Sequence, residues 1–293
     1  MYAWRSIKLA SVIIRLKGGL GNQLFIYSFG LHLATLLKYQ LKIDTVSGFI
    51  NDPYERAFEL EKYGLINQTK ISKFRFSFWK KLDRKFQLIT GLGLTNTIYI
   101  SEGTMLDTDQ FNINDLPISK DIFVEGYFQN TEFVSSVLPI LSELYGKKTK
   151  SLESKSGKHK KKSKVSVAVH VREFQKEDAL LLLDYYKRSI DHLSKQISEL
   201  EFHIFSEKNV HDTIKNLFTS YTHLFHTPDE NDFLTMGCFD HIITANSTFS
   251  WWVAALAYSG KGVIIMPKSI KHKAAGNWDS ENLLLPGSIL IDV

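Results

Sequence analysis

Three short stretches of this chain combine residue types and spacings that suit a phosphate-bearing ligand. The first runs Lys17-Gly18-Gly19-Leu20-Gly21-Asn22-Gln23. Three glycines in four residues let the backbone take positive φ and approach a ligand closely. The amides of Asn22 and Gln23 then sit at a helix mouth, where free N–H groups and the positive end of the dipole favour an anion. A turn of this composition also serves as a plain strand-to-helix corner. The second stretch is His170-Val171-Arg172, two residues that share a face in extended backbone. A guanidinium at a strand end suits a diphosphate, since it stays charged and offers forked donors; pairing of Arg172 with Glu173 or Asp178 is the structural alternative. In the third stretch the small polar residues Asn246, Ser247, Thr248 and Ser250 lie between Ile242-Ile243-Thr244-Ala245 and Phe249, Trp251 and Trp252. One N-cap explains one of them, and a second phosphate-facing helix mouth accounts for the rest. Trp251 and Trp252 read as core or as a stacking platform.

The elements that must position these groups follow from hydrophobic pattern. Ser11 to Leu37 reads as strand, glycine turn and helix, and Gln40 to Thr45 as a second strand. An irregular aromatic stretch through Phe74, Phe76, Phe78 and Trp79 precedes strands at Thr97 to Ser101 and Ile122 to Tyr127, and a helix at Thr131 to Tyr145. Beyond a basic stretch, Val165 to Val171 is a β-branched strand, and Tyr186, Ile190, Leu193 and Ile197 form the stripe of a helix from Asp184 to Leu200. Strands at Glu201 to Ser206, Ile242 to Ala245 and Gly262 to Met266 alternate with helices at Val210 to Phe218, Phe233 to Asp240 and Thr248 to Tyr258. Such alternation implies an α/β fold with a parallel sheet covered on both faces and a ligand at the carboxyl ends of its strands.

Composition bounds the function classes. The 293 residues, 44% hydrophobic and 13% aromatic, suffice for one large core or two medium ones. The single cysteine, Cys238, excludes an internal disulfide and a four-cysteine zinc site, and is expected to be a small buried residue in a reducing compartment. No run of about 18 apolar residues occurs, so no membrane span is expected. The formal net charge is +5, yet nine lysines and one glutamate between 147 and 164 leave the rest mildly acidic. Lysines set among Ser and Gly without aromatics read as a solvated linker or an anionic-membrane contact, and no nucleic-acid partner is expected. Asp107-Thr108-Asp109 has the Asp-x-Asp form of metal-dependent sugar transferases but lies in turn-like sequence.

The three stretches, in this order, resemble the α-1,2-fucosyltransferases, glycosyltransferase family 11, in its bacterial branch. Gly18 to Phe25 is similar to the opening signature of that family. Phe58-Glu59-Leu60, Glu125 to Asn130, Tyr185-Tyr186-Lys187, Phe205-Ser206, Asp232 to Met236 and Ala245 to Trp252 follow in its order. The resemblance implies a GT-B-like architecture of two Rossmann-like domains facing a cleft. The expected division is 1–146 for the acceptor side with the Gly-rich loop, 147–164 for the Lys-rich linker, and 165–293 for nucleotide-sugar binding. It implies metal-independent, inverting transfer of L-fucose from GDP-fucose to the 2-hydroxyl of a galactose in a glycan, with no cofactor. Arg172 and His170 become the catalytic candidates. Gly19, Gly21, Asn22, Gln23, Asp232, Asn246, Ser247, Thr248 and Ser250 become donor-binding candidates, with Asp232 reading guanine, and Glu125 and Gln129 lie on the acceptor side. Glu125 and His170 are the guesses for a general base.

One block departs from the family pattern. Where the family reads His-x-Arg-Arg-Gly-Asp, this chain has His170-Val171-Arg172-Glu173-Phe174-Gln175, exchanging a cation for an acid beside a diphosphate. Two alternatives follow: the same fold with a different nucleotide sugar, or a non-catalytic glycan- or nucleotide-binding protein. The expected location is cytoplasmic, peripheral at the inner membrane face.

Overall fold

The computed structural model describes residues 10–66, 71–74, 96–102, 120–156, 164–172, 182–207, 209–258, 261–272 and 276–293. Asp107, Asp109, the 173–175 block, Phe76, Phe78 and Trp79 lie outside these residues. The chain divides into two compact α/β units, Met1–Val137 and Leu138–Val293.

The first unit is built on a five-stranded parallel sheet, ordered β3-β2-β1-β5-β4. Its strands are β1 (Ser11–Arg15), β2 (Gln40–Asp44), β3 (Ile71–Phe74), β4 (Thr97–Ser101) and β5 (Asp121–Glu125). Val12, Ile13 and Ile14 are wholly buried because β1 is the central strand, flanked by β2 and β5. Helix α1 (Leu20–Leu37) returns the chain from the carboxyl end of β1. It packs so closely that a Cβ on Gly30 would stand 2.4 Å from Ile14. β3 was read as part of an irregular stretch, and it is instead an edge strand paired with β2. The helix expected over Thr131 to Tyr145 is two: α2 (Thr131–Ser135), and α3, which begins at Leu138 with Pro139 in its first turn, where proline costs no hydrogen bond.

α3 runs from Leu138 to Ser156 and belongs to the second unit. The division therefore falls earlier than residue 146, and the first part of the expected linker is helical. Lysine is a good helix former, and α3 carries Lys147, Lys148 and Lys150 into solvent while Leu141 and Tyr145 are buried. The sheet of this unit is ordered β13-β10-β9-β6-β7-β8 and is parallel throughout. Its strands are β6 (Val165–Val171), β7 (Leu200–Ser206), β8 (Thr222–Phe225), β9 (His241–Ile243), β10 (Ile264–Pro267) and β13 (Ile289–Ile291), and β11 (Ile270–His272) pairs separately with β12 (Gly276–Trp278).

Helices α4 (Leu183–Ser194), α5 (Asp212–Lys215), α6 (Asp232–Thr235) and α7 (Thr248–Ala257) are shorter than expected, α5 and α6 each continuing into a 3₁₀ turn. Trp251 and Trp252 are fully buried and meet edge to face at 5.1 Å, so the pair is core. Cys238 is half-buried rather than buried, its thiol facing the Leu234 carbonyl at 3.4 Å. Among the described residues no helix is long and apolar enough to cross a membrane, and no group of three or more His, Cys, Asp or Glu is placed to hold a metal.

Candidate functional site

Each sheet has one place where successive strands are laid down in opposite directions, and such a switch point leaves a crevice at the carboxyl ends. In the second unit the chain runs β6 to β7 to β8 on one side and resumes with β9 on the other side of β6. The crevice therefore opens beyond Val171 and Ile243, where Arg172 and the Asn246–Thr248 corner emerge. Arg172 Nη1 donates to Ser247 Oγ at 3.1 Å. Ser247 is the N-cap of α7, and its Oγ also accepts from Phe249 N at 3.3 Å. With both lone pairs engaged, that hydroxyl keeps its hydrogen to donate. Thr248 and Phe249 are partly exposed at the helix mouth, whereas Asn246 is buried.

Ser250 is not at the mouth. It is fully buried, its Oγ accepting from Ala245 N at 3.1 Å and donating to Ser247 O at 3.4 Å. It folds the corner and cannot contact a donor. Tyr185 secures the same corner from beneath, its hydroxyl donating to Thr244 O at 2.6 Å.

His170 is buried at the end of β6, and its Nδ1 has no hydrogen-bond partner among the described residues. Burial and then the neighbouring Arg172 charge push its pKa down to about 3. The ring is neutral at neutral pH, and a group so weakly basic is a poor general base. It lies 5.6 Å from the Phe249 ring, which meets Phe233 edge to face at 5.3 Å. Phe249 had no signal in the sequence beyond its place between two polar residues. Asp232 precedes Phe233, and burial raises its carboxyl above the usual range, against a lowering by the backbone hydrogen bond from Asp229.

The first unit repeats the arrangement. β1, β2 and β3 run one way and β5 lies on the other side of β1, so the crevice opens at Gly18-Gly19 and Gly126-Tyr127. Only Gly18 of the three glycines takes positive φ, at 74°; Gly19 is the N-cap of α1 in extended backbone, and Gly21 is buried in its first turn. Gln23 is fully buried and its amide is spent on the fold. Its Nε2 donates to Gly18 O and Ala57 O at 2.9 and 2.8 Å, and its Oε1 accepts from Glu59 N at 3.0 Å. A ligand cannot use it, contrary to expectation. Asn22 stays at the mouth, where its Oδ1 accepts from Gln129 Nε2 at 3.0 Å. Glu125 Oε1 pairs with Arg15 Nη1 at 2.7 Å, and Arg15 in turn donates to the side chain and carbonyl of Ser47. Glu125 thus anchors the loop after β2 through Oε1. Lys17, which opens the glycine stretch, lies over the Tyr127 ring at 4.6 Å.

Two Rossmann-like α/β units, each with a polar crevice at its switch point, define a GT-B-type fold. The same fold is seen in the α-1,6-fucosyltransferase NodZ soaked with GDP-fucose, from Bradyrhizobium, at 13% identity and a TM-score of 0.53, over 85% of this chain and 93% of that one. The sequence profile of Glycosyl transferase family 11 matches residues 11–283, and the chain belongs to that family. It is 27% identical over 275 residues to an α-1,2-colitosyltransferase of Escherichia coli, covering 88% of this chain and 92% of the relative. The O-antigen biosynthesis glycosyltransferase WbnK of the same organism is 24% identical, over 86% and 92%.

Proposed function

We propose that this glycosyltransferase moves a 6-deoxyhexose, L-fucose in the first instance, from its GDP conjugate to the 2-hydroxyl of a galactose in a glycan, with inversion and without a metal. The observation that carries the reading is the Arg172–Ser247 pair at the mouth of α7, on the switch point between β6 and β9. The acceptor oxygen attacks the anomeric carbon as the carbon–oxygen bond to the diphosphate breaks. GDP leaves with the bonding pair, and the acceptor proton passes to a base or to water. Negative charge builds on the diphosphate, where Arg172 and the N–H groups of the helix mouth stabilise it. Neutral His170 offers Nδ1 as an acceptor to the donor, and Asp232 accepts the two N–H donors of guanine, an interaction that favours the ionised form its burial disfavours.

The relative named as a colitosyltransferase supports a second reading of the donor, because colitose is fucose lacking the 3-hydroxyl. Calorimetry with GDP-fucose, GDP-mannose and UDP-galactose, in chelator throughout, tests both readings. Tight GDP-fucose binding and a fall of about 10²–10³ in kcat/KM for Arg172→Ala, smaller for Arg172→Lys, are expected. Wild-type turnover in Arg172→Ala would remove the central assignment. Faster turnover of a GDP-colitose preparation than of GDP-fucose would select the second donor.

A further inference from the structure

The loop after β2 holds apolar side chains in water on a backbone that is firmly tied. Asp44 Oδ1 accepts from Val46 N and Ser47 N, and Asp52 Oδ1 accepts from Tyr54 N and Arg56 N. Gly48 lies so close to β1 that a Cβ there would stand 1.8 Å from Leu16 O. Asn51 and Glu55 take positive φ of 126° and 53°, a conformation costly for residues with a Cβ. On this frame Tyr54 is 72% exposed and Ile50 54% exposed. Rigid display of apolar surface contributes nothing to folding and marks a recognition surface.

What the surface recognises follows from its neighbours. The Arg56 guanidinium covers one face of the Tyr54 ring, 4.5 Å from the centroid, so the exposure of Tyr54 must come from the other face and the edge. Arg56 also reaches the glycine corner, since its Nε lies 3.8 Å from a Cβ built on Gly19. Through Arg56 the ring therefore borders the glycine corner of the first unit's crevice. An exposed aromatic face at the edge of a polar crevice matches a pyranose, which is apolar on its C–H face and carries hydroxyls around its edge.

We propose that the open face of Tyr54 is the stacking platform for a sugar ring of the acceptor glycan, with Arg56 fixing the ring from the opposite face. The proposal rests on the acceptor reading given above, so its test includes a measurement that does not require turnover. Saturation-transfer NMR with lactose, on the wild type and on Tyr54→Ala, Tyr54→Phe and Tyr54→Trp, reads glycan binding directly. Expected are a lactose signal in the wild type, its loss in Tyr54→Ala and its retention in the Phe and Trp variants. In the transfer assay the acceptor KM should rise about tenfold in Tyr54→Ala, with GDP affinity unchanged, because stacking of this kind is uniform binding. Equal signals in wild type and Tyr54→Ala, or no lactose signal in either, would overturn the platform. Loss of flotation on anionic vesicles with lactose binding intact would also overturn it, in favour of a membrane contact. An absence of transfer while the Tyr54-dependent lactose signal persists would count against the enzymatic reading and leave the platform standing.

Discussion

His170 shows how burial and charge decide what a residue can contribute. Unfolded, its ring titrates near 6.5; in the fold, desolvation and then Arg172 hold it to about 3. Between those values the unfolded chain binds more protons than the native one, so stability rises with pH. The contribution is complete above about 6.5 and is lost as pH falls toward 3. Urea unfolding at pH 7 and 4.5 should show the wild type losing about 2.5 kcal/mol more than His170→Gln across that interval. Identical pH dependence in the two proteins would mean that the ring is hydrated or paired. The same argument separates His170 from the general base: a Gln side chain preserves an acceptor, and His170→Gln should therefore retain far more donor affinity than His170→Ala.

At the scale of elements, the glycine corner is held by a side chain that sequence reasoning assigned to the ligand. Gln23 joins α1 to Ala57 and Glu59, residues far along the chain, and no local pattern discloses such a partnership. Gln23→Leu would leave the buried Gly18 carbonyl without its partner and untie Ala57 O and Glu59 N from α1, at about 1–3 kcal/mol. The expected outcome is a large drop in the unfolding midpoint, with GDP affinity of the folded fraction close to wild type; a selective loss of GDP binding at unchanged stability would restore Gln23 to the donor site. β1, β6 and β9, with the helices after β1 and β9, were legible because buried parallel strands read as continuous β-branched runs ending at turn residues. β8 was not, since Thr222–Phe225 is mostly exposed at a sheet edge and has no alternation to detect. Nor was β13, three half-buried residues at the other edge. That Arg172 and Ser247 meet at the crevice was legible because position at a strand end is itself a signal. Tyr54 and Arg56 were passed over because their significance comes from a loop pinned against Leu16 and Gly19, which spacing does not encode.

For the molecule as a whole, the point that most changes how the chain should be divided is the ownership of α3. Composition drew the line at the lysines, yet the helix beneath them is part of the core of the second unit. Tyr145 is buried, donates its hydroxyl hydrogen to Phe233 O at 2.6 Å and meets the Phe233 ring edge to face at 5.4 Å. Gly237 lies against the same ring so closely that any Cβ there would collide with it. α3 thus supports the turn carrying Asp232, and its inner face packs on α7, whose N-terminus carries Ser247 at the crevice. Removing Leu141 and Tyr145 should cost about 5 kcal/mol or more, a large share of what holds a domain together. A fragment comprising 138–293 should unfold cooperatively on heating, whereas one comprising 147–293, cut where the lysines begin, should melt without a cooperative transition. Comparable melting of the two fragments would show that α3 is dispensable to the second unit, and would return the boundary to the lysine stretch where composition placed it.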